Sequence, residues 1–293
     1  MRSSNNFLKL LFVIVQVSFI YPMSTHGQSH AGNSDSKPGF PYHLEASKDF
    51  VIFPISTGLM AAGITGKALH QAMDDSEILS LNSNSLLAID YKAIANWDPE
   101  LNRIRESFEP ASFVAGLGMI GIVGGQYMKQ KRDIKPALTL LTMYVEGAFL
   151  AEGMVLLSKT VITRPRPYAY NSSLSLEYRA GSSTNNESFI SGNATVLFYN
   201  ATFISQVLTD LYPGKSWLPY VWAGSHGLAA LSGYWSVKSG MHFPTDILAG
   251  AIWGSSMALL VTQIHKKKNR KIKILPWASN IGQGATLLLN LKP

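Results

Sequence analysis

The chain contains no cysteine. Disulfides, thiolate nucleophiles and cysteine metal sites are therefore excluded. Charge is also scarce. Asp, Glu, Lys and Arg make up 15% of the 293 residues, against about 25% in soluble domains. No internal repeat or low-complexity tract is present. No basic patch interleaves with base-stacking aromatics, so nucleic acid is not an expected partner. No His, Asp and Glu cluster has metal-site spacing, so neither a metal nor another cofactor is expected.

Apolar length is present in its place. Hydrophobic residues total 46% and mean hydropathy is +0.10. Those values alone do not separate a membrane bundle from a soluble helical domain. Apolar segments fall at 50–68, 111–128, 136–158, 189–210, 216–235 and 245–264. The last five approach the roughly 17–25 residues of a membrane span. Segment 50–68 holds Pro54 and several glycines, and reads as interfacial or re-entrant. Ser80 to Arg105 mixes Leu, Ile and Trp with charge and reads as amphipathic helix. The tail from Ile274 to Leu291 reads as a short hairpin around Gly282, Gln283 and Gly284. The expected class is all-α, a multi-helix membrane bundle with a hairpin-like tail.

The N-terminus has the layout of an export signal. Arg2 and Lys9 precede the apolar run Leu10 to Tyr21, and Thr25 and Gly27 suit cleavage before Gln28. An uncleaved anchor is the other reading of residues 1–27. Residues 28–109 then form a periplasmic linker with apolar and amphipathic segments, 110–265 the helical domain, and 266–293 a basic segment with the tail.

The net charge of +7 is concentrated. One cluster is Lys129, Lys131, Arg132 and Lys135; the other is Lys266, Lys267, Lys268, Arg270, Lys271 and Lys273. Each follows an apolar run, as cytoplasmic flanks of membrane helices do. With both clusters inside, the ends carrying Lys159, residues 191–193 and residues 236–246 all face outward. This places the site on the periplasmic face of a bacterial-type inner membrane. A soluble periplasmic domain is the alternative.

Three motifs stand in order. Lys159 is followed by Thr163-Arg164-Pro165-Arg166-Pro167-Tyr168. Arginine offers a planar donor fork to an anion and lysine a point charge. The plainer reading is a membrane-interface cluster, with Arg164 a second contact or a headgroup anchor. Next, Ser191-Gly192-Asn193 open an apolar segment. Exposed N–H groups at a helix start bind anions, although Ser191 also suits plain capping. Last come Ser236, His242 and Asp246. Asp246 lies one helical turn beyond His242 and can accept a hydrogen bond from its ring, freeing the other nitrogen as a nucleophile. Glu146 and Glu152 sit inside an apolar helix, where ionisable groups are functional candidates or buried interhelical contacts. His226 reads as a packing histidine.

Together these motifs resemble the type 2 phosphatidic acid phosphatase / vanadium haloperoxidase superfamily, over about residues 110–265. The resemblance implies hydrolysis of a phosphorylated lipid, a lipid phosphate or a polyprenyl pyrophosphate, through a phosphohistidine on His242. Lys159, Arg166, Ser191, Gly192 and position 236 would hold the phosphoryl group, and position 193 would supply a proton. Two members depart from the pattern. Asn193 stands where the family has a histidine, and Ser236 where it has an arginine. Losing a general acid costs about 10²- to 10⁴-fold. Either catalysis is impaired or confined to good leaving groups, with Arg164 or Lys238 refilling the anion site, or the chain is a pseudophosphatase that binds phosphorylated lipid without turnover. A haloperoxidase reading is disfavoured, because such a pocket leans on the same two lost residues.

Overall fold

The computed structural model describes residues 39–267, 272–279 and 282–289. The signal or anchor expected over residues 1–27 lies outside the described residues. Ten α-helices run in chain order among them: α1 (Ala46–Leu69), α2 (Asp75–Leu79), α3 (Ala88–Tyr91), α4 (Pro99–Glu106), α5 (Phe108–Lys131), α6 (Lys135–Val161), α7 (Leu176–Ala180), α8 (Gly192–Leu211), α9 (Leu218–Lys238) and α10 (Pro244–His265). Six of these are long, and each matches one apolar segment of the sequence. An antiparallel hairpin, β1 (Ile272–Ser279) with β2 (Gly282–Leu289), follows. The expected hairpin is present, but Gly282, Gln283 and Gly284 lie in its second strand, opposite Ser279, Ala278 and Trp277.

Two expectations need correction. Segment 50–68 is not re-entrant: α1 is one continuous helix through Pro54, long and apolar enough to cross a membrane. Ser80 to Arg105 is not one amphipathic helix. It breaks into α3, α4 and two 3₁₀ turns, because Asn82, Asp98 and Pro99 each start a new element rather than extend one.

Among the described residues four segments are long and apolar enough to cross a membrane: Ala46–Leu69, Pro99–Lys131, Lys135–Val161 and Pro244–His265. α8 and α9 are of similar length but less apolar. α8 is the central helix, and its polar residues bond inward rather than facing lipid. Asn200 accepts from Tyr144 Oη at 2.5 Å, and Thr202 lies 3.0 Å from His226 Nε2. His226 also stacks on Trp222, which bears out its reading as a packing residue. The outer surface carries exposed Phe50, Val114, Ile122 and Ile252. Such an apolar belt suits a lipid surround.

In lipid, helices gain little from burying apolar surface against one another, so close approach and hydrogen bonds carry the packing. α1 lies on α6 where a Cβ at Gly63 would stand 2.7 Å from the Gly153 carbonyl. α8 lies on α10 where a Cβ at Gly250 would stand 2.6 Å from the Ser191 carbonyl. Trp253 Nε1 donates to Ala151 O at 3.1 Å.

The helices alternate in direction. One end of the bundle gathers the end of α6, the start of α8, the end of α9 and the start of α10. The other end carries Lys129, Lys131, Arg132 and Lys135, with Lys266 and Lys267. The segment before α1 also lies at the basic end: Lys267 N donates to Pro41 O at 2.8 Å, and His43 N to His265 O at 3.0 Å.

Candidate active site

Every residue singled out in the three motifs lies at the first of those ends. Gly240, at a left-handed φ of 74°, turns the chain out of α9 toward His242. Its carbonyl accepts from Tyr168 N at 3.0 Å, tying this turn to the Arg166-Pro167 segment. The backbone N–H groups of Met241 and His242 both reach Ser236 O, at 3.1 and 3.3 Å.

His242 is 3% exposed. Its Nδ1 lies 2.7 Å from the Ser188 carbonyl oxygen. A carbonyl only accepts, so Nδ1 carries the proton and Nε2 the lone pair. Nη1 of Arg166 faces Nε2 at 3.3 Å. Burial, then the charges of Arg166, Arg105 and Lys159, push the imidazole well below its ordinary pKa. The ring is therefore neutral, with its free lone pair aimed at the cationic side of the pocket.

Asp246 does not accept directly from this ring, contrary to the expectation from spacing. Its Oδ2 is 3.8 Å from Nδ1. That oxygen takes Ser188 Oγ at 2.6 Å and Phe243 N at 2.8 Å, and Oδ1 is bonded by Arg164 Nη1. Asp246 thus holds the residue whose carbonyl holds His242. One turn of helix brings the two side chains to the same face, but the loop before α8 comes between them.

Arg164 does not refill the anion site. Its guanidinium is committed to Asp246, to Asp90 Oδ2 at 2.8 Å and to Thr245 Oγ1 at 2.8 Å, and it lies over the Phe243 ring at 4.3 Å. Lys238 Nζ sits 5.9 Å from the Tyr234 ring centroid. Arg166 is the arginine that faces His242. Its Nε donates to Thr184 O at 2.8 Å and its Nη1 to Met241 O at 3.0 Å, which fixes the fork beside His242. Burial lowers its pKa below the ordinary arginine value.

Lys159 ends α6, with Glu187 4.0 Å away. A Cβ at Gly192 would stand 3.8 Å from its Nζ, so the amine lies against the start of α8. Ser191 is the cap of that helix: its Oγ accepts from Ala194 N at 3.3 Å. Asn193 accepts from Ser232 Oγ at 2.9 Å and donates to Glu109 Oε2 at 3.5 Å. Ser236 is fully buried and its Oγ has no partner.

Residues 137–270 match the family model described as the PAP2 superfamily. This segment of the chain is similar to the PAP2 superfamily. The matched segment includes all of α8, α9 and α10 and nearly all of α6, hence every motif residue above. A solved structure titled the first transmembrane PAP2 type phosphatidylglycerolphosphate phosphatase, from Bacillus subtilis, is similar at 24% identity. The alignment covers 74% of this chain and 95% of that chain, with a TM-score of 0.42. No curated protein matches the chain.

Several residues around the pocket escaped sequence reasoning. Ser188, Glu187 and Thr184 come from the polar loop before α8, and Asp90, Arg105 and Glu109 lie N-terminal to the matched segment. None belongs to a motif or has diagnostic spacing. A second group, at the opposite end of the bundle, was equally invisible. Asp49 Oδ1 lies 2.8 Å and Glu146 Oε2 3.3 Å from His265 Nε2. Three distant segments meet there, so no local pattern could have shown it. Glu146 is accordingly a buried interhelical contact.

Proposed function

We propose that the chain is a membrane-embedded phosphatase-like protein that acts on a phosphorylated lipid, with a pyrophosphate the better substrate. The observation that carries this reading is the poise of His242. Its Nδ1 is tied to the Ser188 carbonyl and its Nε2 faces Arg166. In the proposed reaction Nε2 attacks phosphorus in line, the P–O bond to the leaving group breaks, and a phosphohistidine forms. Water then attacks that phosphorus and returns Nε2 to the neutral ring. Arg166, Lys159 and the N–H groups at the start of α8 stabilise the charge on the equatorial oxygens.

The leaving group sets the substrate class. Asn193 donates a hydrogen bond but transfers no proton. A lipid alkoxide leaves poorly without a proton, whereas a phosphate leaves from a pyrophosphate with little help. The second reading, a pseudophosphatase that binds phosphorylated lipid, is favoured by the same Asn193 and by the neutral Ser236.

The basic end of the bundle would face the cytoplasm and the pocket the periplasm. With α1 spanning, residues 39–45 share the basic end. This arrangement goes with a retained N-terminal segment rather than an exported residue 28. Reporter fusions after residues 132 and 270 test it, and a periplasmic signal at either position overturns it.

The activity test is phosphate release by purified protein from a lipid monophosphate and from a polyprenyl pyrophosphate, with His242→Ala alongside. Release from pyrophosphate that His242→Ala abolishes is the expected result. Equal background from both proteins would sink the enzyme reading and leave the binding one.

A further inference from the structure

The pocket lacks a motif arginine at position 236, and the space left there is occupied by a fully buried hydroxyl without a partner. The segment around the α4–α5 joint packs directly over that position. Asn96 Nδ2 donates to Val237 O at 3.0 Å, one residue past Ser236. Phe108 meets Trp235, one residue before it, edge-on with centroids 5.3 Å apart. Glu109 reaches Asn193 at 3.5 Å. Both altered motif positions are therefore in contact with, or flanked by contacts to, one stretch of chain outside the matched segment.

That stretch carries Arg105, which is 7% exposed. Its recorded protein partners are Asn102 Oδ1 at 2.8 Å and Glu106 Oε1 at 3.7 Å, both on its own helix. The Glu109 charge acts on it from α5 without a direct bond, and a buried guanidinium so thinly paired is costly unless something else completes it. Its charge also acts on His242, adding to those of Arg166 and Lys159. Three cations thus converge on one neutral imidazole. Glu187 and Glu106 offset two of them only at 4.0 and 3.7 Å. Convergent cations that repel one another are expected where an anion of high charge binds.

We propose that Arg105, brought in by the α4–α5 joint, takes over the phosphoryl-binding role of the arginine missing at position 236, with the Ser236 hydroxyl as a second donor. This rests on the phosphatase-like reading of the pocket, but it concerns anion binding and does not require turnover. The clamp reaches the pocket from outside the motif segment. The reaction sequence is unchanged; Arg105 contacts the transferring group and forms no bond to it.

The test is equilibrium binding of inorganic phosphate to the purified full-length protein, wild type and variants. Arg105→Ala should weaken binding by about tenfold to a hundredfold, the size of a lost charge-assisted contact. Arg105→Lys should recover part of the loss. The double variant Arg105→Ala with Ser236→Arg should recover most of it, which a purely structural role for Arg105 would not produce. Lys238→Ala should bind as the wild type does. Should Arg105→Ala perturb folding, Arg105→Lys and the double variant still decide. Folded Arg105→Ala that binds phosphate as tightly as wild type overturns the proposal, and so does wild-type protein that binds none. Binding that depends on Arg105 without hydrolysis of either lipid substrate would keep the proposal and remove the enzyme reading. Hydrolysis with phosphate binding indifferent to Arg105 would do the reverse.

Discussion

His242 Nδ1 is 2.7 Å from the carbonyl oxygen of Ser188, and that residue's hydroxyl is 2.6 Å from Asp246. The carboxylate four residues on thus acts on the imidazole through a loop residue. It sets the tautomer by holding a backbone carbonyl in place.

This arrangement orders two substitutions. Asp246→Asn leaves Arg164 with a weaker partner in a buried network and should cost about 3 kcal/mol of stability. Ser188→Ala keeps the carbonyl that holds His242 and loses one hydroxyl bond, about 1 kcal/mol. Unfolding midpoints in detergent measure both. Equal losses would mean that Asp246 does not organise the network.

The pH dependence follows from the depressed pKa of His242. The folded ring stays neutral below its ordinary value of 6.5, while the unfolded chain takes up a proton there. Stability from this residue is therefore level above pH 6.5 and falls as pH drops below it toward the folded pKa. The acid limb of kcat/KM should likewise lie below 6.5, because the nucleophile must be neutral. Imidazole NMR titration checks the pKa, and a transition at or above 6.5 would refute the cationic surround of the ring.

Asn193→His should raise turnover of a lipid monophosphate toward the 10²- to 10⁴-fold that general acid catalysis supplies. Pyrophosphate turnover should change far less, because its leaving group needs no proton. Initial rates on the two substrates measure the difference. Parallel gains would argue against the leaving-group explanation.

Gly250→Ala should destabilise the bundle by about 1–3 kcal/mol through overpacking. The added methyl would meet the Ser191 carbonyl at 2.6 Å and Ala194 Cβ at 3.0 Å. It would push α10 from α8, the two helices that frame the pocket. Thermal unfolding reads the loss, and an unchanged midpoint would mean that α8 and α10 can separate freely.

Much of the fold was legible because long apolar runs have few alternatives to helix. All six long helices correspond to apolar segments, and α8 starts at its serine cap. The stretch 80–105 was misread because its mixed apolar and charged residues fit a helical face, while its caps and Pro99 stop each turn early. Segment 50–68 reads as re-entrant because Pro54 and its glycines look like breakers, yet it is one continuous helix. Lipid-facing positions and close contact with α6 tolerate them.

Within the site, the resemblance selected Arg166 over Arg164; the structure sets Arg166 Nη1 3.3 Å from His242 Nε2. The motifs also prompted Arg164 and Lys238 as substitutes for a lost charge. Arg164 is instead used up by Asp90 and Asp246. Neither Asp90 nor Arg105 could be placed from sequence, since each lies far along the chain from its partners in the pocket.

By itself the sequence determined the all-α class, the long helices, the motif residues and the two departures among them. Local pattern carries that information, because apolar periodicity and short spacings act within one element. Only the tertiary structure decided that His242 is held by Ser188 rather than Asp246, that Arg164 is a clamp on the fold, and that the α4–α5 joint sits over Ser236. Those are contacts between segments distant in the chain, and packing rather than spacing brings them together.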